Sequence, residues 1–420
     1  MLDVNSGAVH LLDDISYAVS GLLDENMGDT CPQGIIDALP DYTADEIREA
    51  YDELYELKKA GQLFAQDDYI DVSRYIPVNA PVKALCLHVA HDCNLRCKYC
   101  FASTGDFGQG RKIMPPEIAK KAIDFVIARS GVRHNIEVDF FGGEPLMAWD
   151  TVTQTVDYAR SLEEKYNKKF RFTITTNGLL LDEDKRKYIN ENMDNCVLSL
   201  DGRREVNDEF RKTVAGTGSY DTIVPKFKAL VDERDPNLDY YARGTFTSHN
   251  LDFAEDVLSI ADAGFDRLSV EPVTADPGCG YDLTEDDLPK IEAEYDRLTD
   301  IMLERKKEGK PFTFFHFMVD LDQGPCVVKR LRGCGAGYEY VAVTPDGDIY
   351  PCHQFVGKDE FKQGSVLDQS FNMDIAQKFA GMNIYSRPKC QKCWAKFYCS
   401  GGCSAANYNM NHDMNDSYDL

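Results

Sequence analysis

The stretch KALCLHVAHDCNLRCKYCF, residues 83–101, joins an apolar run to three closely spaced thiols. The run reads as a β-strand, and Cys93, Cys97 and Cys100 follow it as CxxxCxxC on the loop leaving the strand. Thiols this close serve a metal, a disulfide or a redox dithiol. Zinc and iron–sulfur sites favour four protein ligands, and this loop supplies three. His91 is a candidate fourth ligand for zinc. Alternatively, three thiolates hold three irons of a [4Fe–4S] cube, and the fourth iron stays open to a chelating small molecule.

Downstream, five further strands alternate with helical segments: IEVDFF, FRFTITT, CVLSL, YYARGTFT and RLSVEPV. Prolines at 115 and 116 suit a helix start, and Gly131 stands just past that helix's end. Strand–helix alternation is the signature of a parallel sheet. Six such units without an internal repeat predict an α/β fold, a partial (β/α)6 TIM-like barrel over residues 81–310. In barrels of this kind, chemistry gathers where strands end. GGEP (142–145), TTNG (175–178) and SLDG (199–202) close strands two to four, strand five carries Arg243, and strand six ends near Glu271. Any one of these is an ordinary turn; together on one rim they suggest a site.

Two other regions flank the barrel. In residues 1–80, CPQGIIDAL is followed by Thr43 as an N-cap, with Glu46 three residues on, opening the helix ADEIREAYDELYELKKAG that Gly61 stops. QLFAQDDYI then reads as a strand or wing, giving a winged-helix-like module. Residues 1–60 carry 14 acidic and 3 basic side chains, which opposes DNA binding and favours peptide docking or a structural role. In residues 311–420, Cys, Gly, Pro and aromatics dominate short segments that need staples or metal to hold together.

Composition narrows the function. The 420-residue chain has a formal net charge of −25, which disfavours nucleic acid and anionic membranes and favours small molecules or a polypeptide. No apolar run reaches the roughly 20 residues of a membrane span, and MLDVNSGAVHLLDD lacks a secretion signal's basic start, so a cytoplasmic location is expected. The 14 cysteines cluster, three in 93–100 and seven in 326–403, as metal ligands in a reducing compartment do. Cys86 and Cys196 lie within strands as packing residues, and Cys31 and Cys279 have no partner spacing.

CxxxCxxC after the first strand, with Tyr99 before the third Cys, resembles the signature of radical S-adenosylmethionine (SAM) enzymes, whose fold is the partial barrel inferred above. The resemblance implies that the open iron chelates the amino and carboxylate groups of SAM. It also implies reductive cleavage to a 5′-deoxyadenosyl radical that takes a hydrogen from substrate. Gly142, Gly143 and Glu144 would then accept hydrogen bonds from the methionine ammonium, Ser199 and Asp201 would contact the ribose, and Arg243 the methionine carboxylate. A cation facing carbonyls and a carboxylate, and an anion facing Arg, is sound chemistry in its own right.

Cys334, then Gly347-x4-Cys352, then Cys390-x2-Cys393-x5-Cys399-x3-Cys403 resembles the SPASM domain, which houses two auxiliary [4Fe–4S] clusters in radical SAM enzymes acting on peptides. By that resemblance, Cys334, Cys352 and Cys403 ligate the inner auxiliary cluster, and Cys390, Cys393 and Cys399 the outer one. This implies three clusters in all. Cys326 is a candidate fourth ligand of the inner cluster, whose last iron is alternatively open to a substrate thiolate. The family pattern has a further cysteine after Cys403; the sequence reaches Leu420 without one, so truncation at that end is expected, and the start MLDVNSGAVH is similarly abrupt.

Among SPASM enzymes, sulfatase maturases carry an Asp after the cysteine matching Cys352, where this chain has His353, and they lack a leader-docking module. LHVAHDCNLRCKYCFA and TPDGDIYPCHQFVG resemble maturases of SCIFF (six-cysteine) peptides, which link Cys sulfur to a carbon of an acceptor such as Thr. The resemblance implies a Cys-rich precursor peptide with a leader as substrate and ferredoxin or flavodoxin as reducing partner. On this hypothesis an auxiliary cluster takes the leftover electron, and His353 either accepts a proton or is a polar residue lining the cluster. Sulfatase-maturase-like oxidation of Cys or Ser and a multi-cluster electron carrier are the alternatives.

Overall fold

Six strands pair side by side in chain order: β1 (Ala84–His91), β2 (Asn135–Gly142), β3 (Lys169–Thr176), β4 (Asn195–Ser199), β5 (Asp239–Phe246) and β6 (Arg267–Pro272). The computed structural model describes residues 1–74, 80–321 and 326–418. All five neighbouring pairs are parallel. Alternation along each strand separates two faces. On one face Leu85, Leu87, Val138, Phe140, Phe172, Ile174, Leu198, Ala242 and Leu268 are buried beneath helices such as Pro116–Arg129 and Trp149–Tyr166. On the other, Phe141, Thr175, Val197, Ser199, Arg243, Thr245 and Glu271 line a cavity at the strand ends. The helix start at Pro115–Pro116 and the stop at Gly131, which has φ +53°, are as the sequence predicts.

The expected boundary near residue 310 does not interrupt the sheet. Thr313–Phe314 pairs parallel with β6, and Tyr340–Val343 pairs parallel with the free edge of β1. From there Asp348–Tyr350, Gly364–Ser365 and Ser370–Phe371 continue as an antiparallel meander. A second core, including Cys86, Tyr338, Tyr350, Cys352, Phe355 and Phe379, packs the cysteine-rich region against β1. β1 is consequently buried along its whole length.

In residues 1–74, helices Asp14–Ser20, Gln33–Ala38 and Ala44–Lys59 enclose a small core around Val19, Ile47, Tyr51 and Leu54. Thr43 and Glu46 form the expected capping box. The expected wing is a correction: no strand forms over residues 62–70, and a helix, Tyr69–Arg74, starts there instead. Side chains replace the ladder. Ala65 N–H donates to Asp3 Oδ2 at 3.2 Å, and Asn5 Nδ2 donates to the Ala65 carbonyl at 2.8 Å. Asp67 turns outward and pairs with Lys396 of the cysteine-rich region at 2.7 Å.

Candidate active site at the strand ends

The cavity is about 320 Å³ and gathers the rim motifs that lie far apart in sequence. Its walls include Cys93, Cys97 and Cys100, Gly142 to Glu144, Thr175 to Asn177, Ser199, Arg211, Arg243, Glu271 and His353. The cysteine loop is held in place by a short antiparallel ladder, Leu95–Cys97 against Arg211–Thr213, with Cys97 opposite Arg211.

Close backbone approach explains the glycine pair. A Cβ on Gly142, at φ +126°, would stand 2.2 Å from the Ala90 carbonyl oxygen, and one on Gly143 would stand 2.1 Å from that of Asp92. The cysteine loop therefore crosses directly over GGEP. Backbone bonds seal the crossing: Gly143 N–H donates to Ala90 O at 2.7 Å and Glu144 N–H to Asp92 O at 2.9 Å. The Glu144 carboxylate is fully buried and takes three donors, Leu146 N–H, Thr176 Oγ1 and Asn177 N–H, at 3.0, 2.7 and 2.7 Å. Burial nevertheless pushes its pKa up. Asn177, thus fixed, donates through Nδ2 to Cys93 Sγ at 3.5 Å and to Asn94 Oδ1 at 2.8 Å.

Asp201 does not line the cavity. It is fully buried, accepting from Tyr99 Oη at 2.6 Å and Thr245 N–H at 3.2 Å, with Arg211 Nη1 at 3.8 Å. Arg211 also donates to Tyr99 Oη at 2.9 Å, while its buried Nε has no partner among the described residues. This Tyr99–Asp201–Arg211 cluster stands behind Cys97 and was not legible in the sequence. Arg211 is one of 46 basic residues, and only its pairing opposite Cys97 distinguishes it. Arg243 lines the cavity beside Glu271, 3.7 Å away. Burial acts to raise Glu271, but His316, Ser269 and Arg243 outweigh it and hold the carboxyl down at about 2.

Burial pushes the Cys93 and Cys97 thiols up to about 12 and about 11, so as free thiols they stay protonated. Iron coordination stabilises the thiolate and reverses that cost. Zinc would draw its ligands to about 2.0–2.3 Å from one point. Among the described residues no three His, Cys, Asp or Glu side chains converge in that way. His91 is also placed elsewhere: it is fully buried, 3.1 Å from His88 Nδ1, and absent from the cavity wall.

The cysteine-rich region forms a second constellation. Burial pushes Cys352 up to about 12, whereas Cys334 and Cys403 are exposed. Cys390 is buried, with Ser417 Oγ 3.3 Å from its sulfur, whereas Cys393 is half-buried and Cys399 exposed. Cys326 is exposed at the start of helix Val327–Arg330. His353, next to Cys352, lines the main cavity, has Tyr340 Oη within hydrogen-bond distance of its Nδ1 at 3.2 Å, and packs on Phe141. Burial first and Arg243 second lower its pKa to about 4, which keeps the ring neutral at pH 7.

Comparison with known families matches residues 87–241 to the Radical SAM superfamily and residues 334–394 to the SPASM iron–sulfur cluster-binding domain. A cysteine-type anaerobic sulfatase-maturating enzyme of Clostridium novyi is 25% identical over 334 residues, covering 74% of this chain and 85% of that protein. The radical SAM cyclopropyl synthase TigE of Paramaledivibacter caminithermalis is 24% identical over 353 residues, covering 79% and 70%. Streptococcus suis SuiB, solved bound to its precursor peptide SuiA, superposes with a TM-score of 0.58 at 17% identity, covering 98% of this chain and 93% of that one. Among the described residues no helix is long and apolar enough to cross a membrane. The first family match contains the Cys93–Cys97–Cys100 loop with GGEP, TTNG and SLDG, the second contains Cys334 and Cys352, and the chain therefore carries a radical SAM domain and a SPASM domain.

Proposed function

We propose that this radical SAM enzyme is a peptide maturase that links a Cys sulfur to a carbon of an acceptor residue such as Thr, in a Cys-rich, SCIFF-type precursor peptide with a leader. Each link removes two hydrogens from the peptide: one leaves the acceptor carbon as an atom taken by the 5′-deoxyadenosyl radical, and the other leaves the thiol as a proton, with the remaining electron passed to an auxiliary cluster. The observation that carries this reading is the shared cavity, walled by the Cys93–Cys97–Cys100 loop and by His353 beside Cys352. Those loop thiols would hold one [4Fe–4S] cluster. Cys334, Cys352 and Cys403, with Cys326 as a candidate fourth ligand, would hold the inner auxiliary cluster, and Cys390, Cys393 and Cys399 the outer one. Loaded with SAM and reduced by a ferredoxin- or flavodoxin-type partner, the first cluster supplies a hydrogen-abstracting 5′-deoxyadenosyl radical.

The chain's own residues do the rest. The carbonyls and carboxylate at Gly142, Gly143 and Glu144 face a cation, and Ser199 offers a hydroxyl to a ribose. Arg243 and Arg211 supply positive charge for a carboxylate. Asp201 serves this site by bracing Tyr99 and Arg211. His353, on the cavity wall beside Cys352, would take a proton from the substrate thiol. The chain-order parallel strands support a partial (β/α)6 barrel over 81–310, extended by the SPASM region, 311–420. Residues 1–80 would bind the leader without a wing. The SuiB likeness covers this module as well as the catalytic core.

Sulfatase-type oxidation of Cys or Ser is the second reading, favoured by the Clostridium novyi relative. His353 and the N-terminal module favour the first. Anaerobic reconstitution with SAM, dithionite and a Cys-rich precursor peptide separates them: a thioether supports the proposal, whereas an oxidised, unlinked Cys supports the second reading. An electron carrier would release no 5′-deoxyadenosine. Cys97→Ala is expected to abolish SAM cleavage. Cys352→Ala is expected to retain 5′-deoxyadenosine formation and lose the thioether; a thioether from that variant would sink the auxiliary-cluster assignment.

A further inference from the structure

Arg387 is the most deeply placed cation of the cysteine-rich region. Its side chain is 3% exposed, yet no carboxylate pairs with it among the described residues. The guanidinium is spent instead on neutral acceptors. Nε donates to the Met414 carbonyl at 3.2 Å, Nη1 to the Ser400 carbonyl at 3.3 Å, and Nη2 to Ser404 Oγ at 3.0 Å. Burying a charge without a counter-ion is costly, so an anion belongs near it.

Its surroundings identify that anion. Ser400 follows Cys399 and Ser404 follows Cys403, so the fork grips both ends of the loop that runs from the outer thiol set to the inner one. Its own backbone carbonyl accepts from Cys390 N–H at 3.1 Å, which ties it to a third thiol. A Cβ on Gly401 would stand 2.2 Å from Nη1, so the loop closes tightly over the guanidinium. These bonds tie it to the backbone beside Cys390 and Cys399 of the outer set and Cys403 of the inner one. As free thiols these are neutral and leave the cation unmatched. As cluster ligands they carry the missing negative charge.

We propose that Arg387 is a positioning residue and shared counter-charge of the two auxiliary clusters, tying their loops together and raising the reduction potential of both. The inference rests on the auxiliary-cluster assignment above. A buried cation favours the more negative, reduced form of a nearby cluster. Its effect should spare the cluster at Cys93, Cys97 and Cys100, whose nearby cation is Arg211.

The test uses the full chain, reconstituted anaerobically, as wild type, Arg387→Lys, Arg387→Met and Arg387→Gln. Iron and sulfide per chain are measured, and each cluster is followed by redox titration with electron paramagnetic resonance. With full iron, both neutral variants should show auxiliary reduction equilibria at least tenfold less favourable, about 59 mV more negative for a one-electron couple. Lys should preserve most of the wild-type value, and the SAM-binding cluster should not move. Unchanged auxiliary potentials in fully loaded Met and Gln variants would overturn the proposal. Should both neutral variants lose auxiliary iron while Lys retains it, the charge requirement is supported. Equal loss in Lys would make Arg387 a hydrogen-bonding strut and overturn the proposal. Wild type holding iron for one cluster alone would instead overturn the auxiliary-cluster assignment, a separate result.

Discussion

Gly143 illustrates how a single residue serves this site by what it lacks. Its missing Cβ would lie 2.1 Å from Asp92 O and 3.0 Å from Gly105 O, both backbone atoms that cannot rotate away. Gly143→Ala must therefore move the cysteine loop. It is expected to lower iron retention at the SAM-binding cluster and SAM cleavage together, measured as iron per chain and 5′-deoxyadenosine yield. Gly34 is the contrast: it lies in helix Gln33–Ala38, and a Cβ there would meet nothing within 4 Å. Gly34→Ala should raise stability by about 0.5–1 kcal/mol, because Gly loses more backbone freedom than Ala in a helix. A thermal melt reads both substitutions. A Gly143→Ala enzyme with wild-type iron and cleavage would show that the loop tolerates displacement.

At the scale of elements, the cysteine loop is a short strand leaning on another short strand, and a buried cluster carries the load. Tyr99 Oη both donates to Asp201 and accepts from Arg211, so Tyr99→Phe leaves two buried charged groups each one partner short. The cost should be about 1–3 kcal/mol, with a lower melting temperature and faster loss of iron on gel filtration. An unchanged melt would show that the cluster is incidental. The same element explains which parts of the molecule were legible in advance. Strand alternation, proline starts and the Thr43 capping box are local signals, and the six strands and their helices follow from them. The Cys93 loop and GGEP are dense motifs in short spans, and their cavity was expected. Arg211, and Asn177 as a donor to Cys93, depend on contacts between segments far apart in sequence. The resemblance implies a ribose contact for Asp201, yet its carboxylate is occupied by Tyr99 and Thr245. The wing failed for a related reason: Asp3, Asn5 and Lys396 claim the polar groups of QLFAQDDYI.

Across the whole molecule, the N-terminal module meets the cysteine-rich region through a small joint with a polar centre. Tyr69 packs edge-on against Phe397 at 5.5 Å, and Leu331, Ile384, Cys390 and Phe397 form the cluster beneath. Lys396, only 6% exposed, lies between Cys393 and Cys399 and holds Asp67 Oδ2 at 2.7 Å, while Tyr385 Oη donates to Asp67 Oδ1. Burial acts to raise the Asp67 pKa, but the bonds from Lys396 and Tyr385 outweigh it, and the net shift is downward. A carboxyl lowered by folding contributes stability that is fully present above its unfolded value, near 3.9, and that is lost as pH falls through the lower folded value. Wild type should therefore lose stability below about pH 4 more steeply than Asp67→Asn, while near pH 7 the variant should be weaker by about 1–3 kcal/mol for leaving a buried lysine without its anion. Thermal melts from pH 3 to pH 7 measure both effects. Because the joint lies beside the outer thiols and away from the cavity, Asp67→Asn should still cleave SAM but modify precursor peptide less. Parallel melting curves for the two proteins across that range would remove the ion pair from the account of how the module is held.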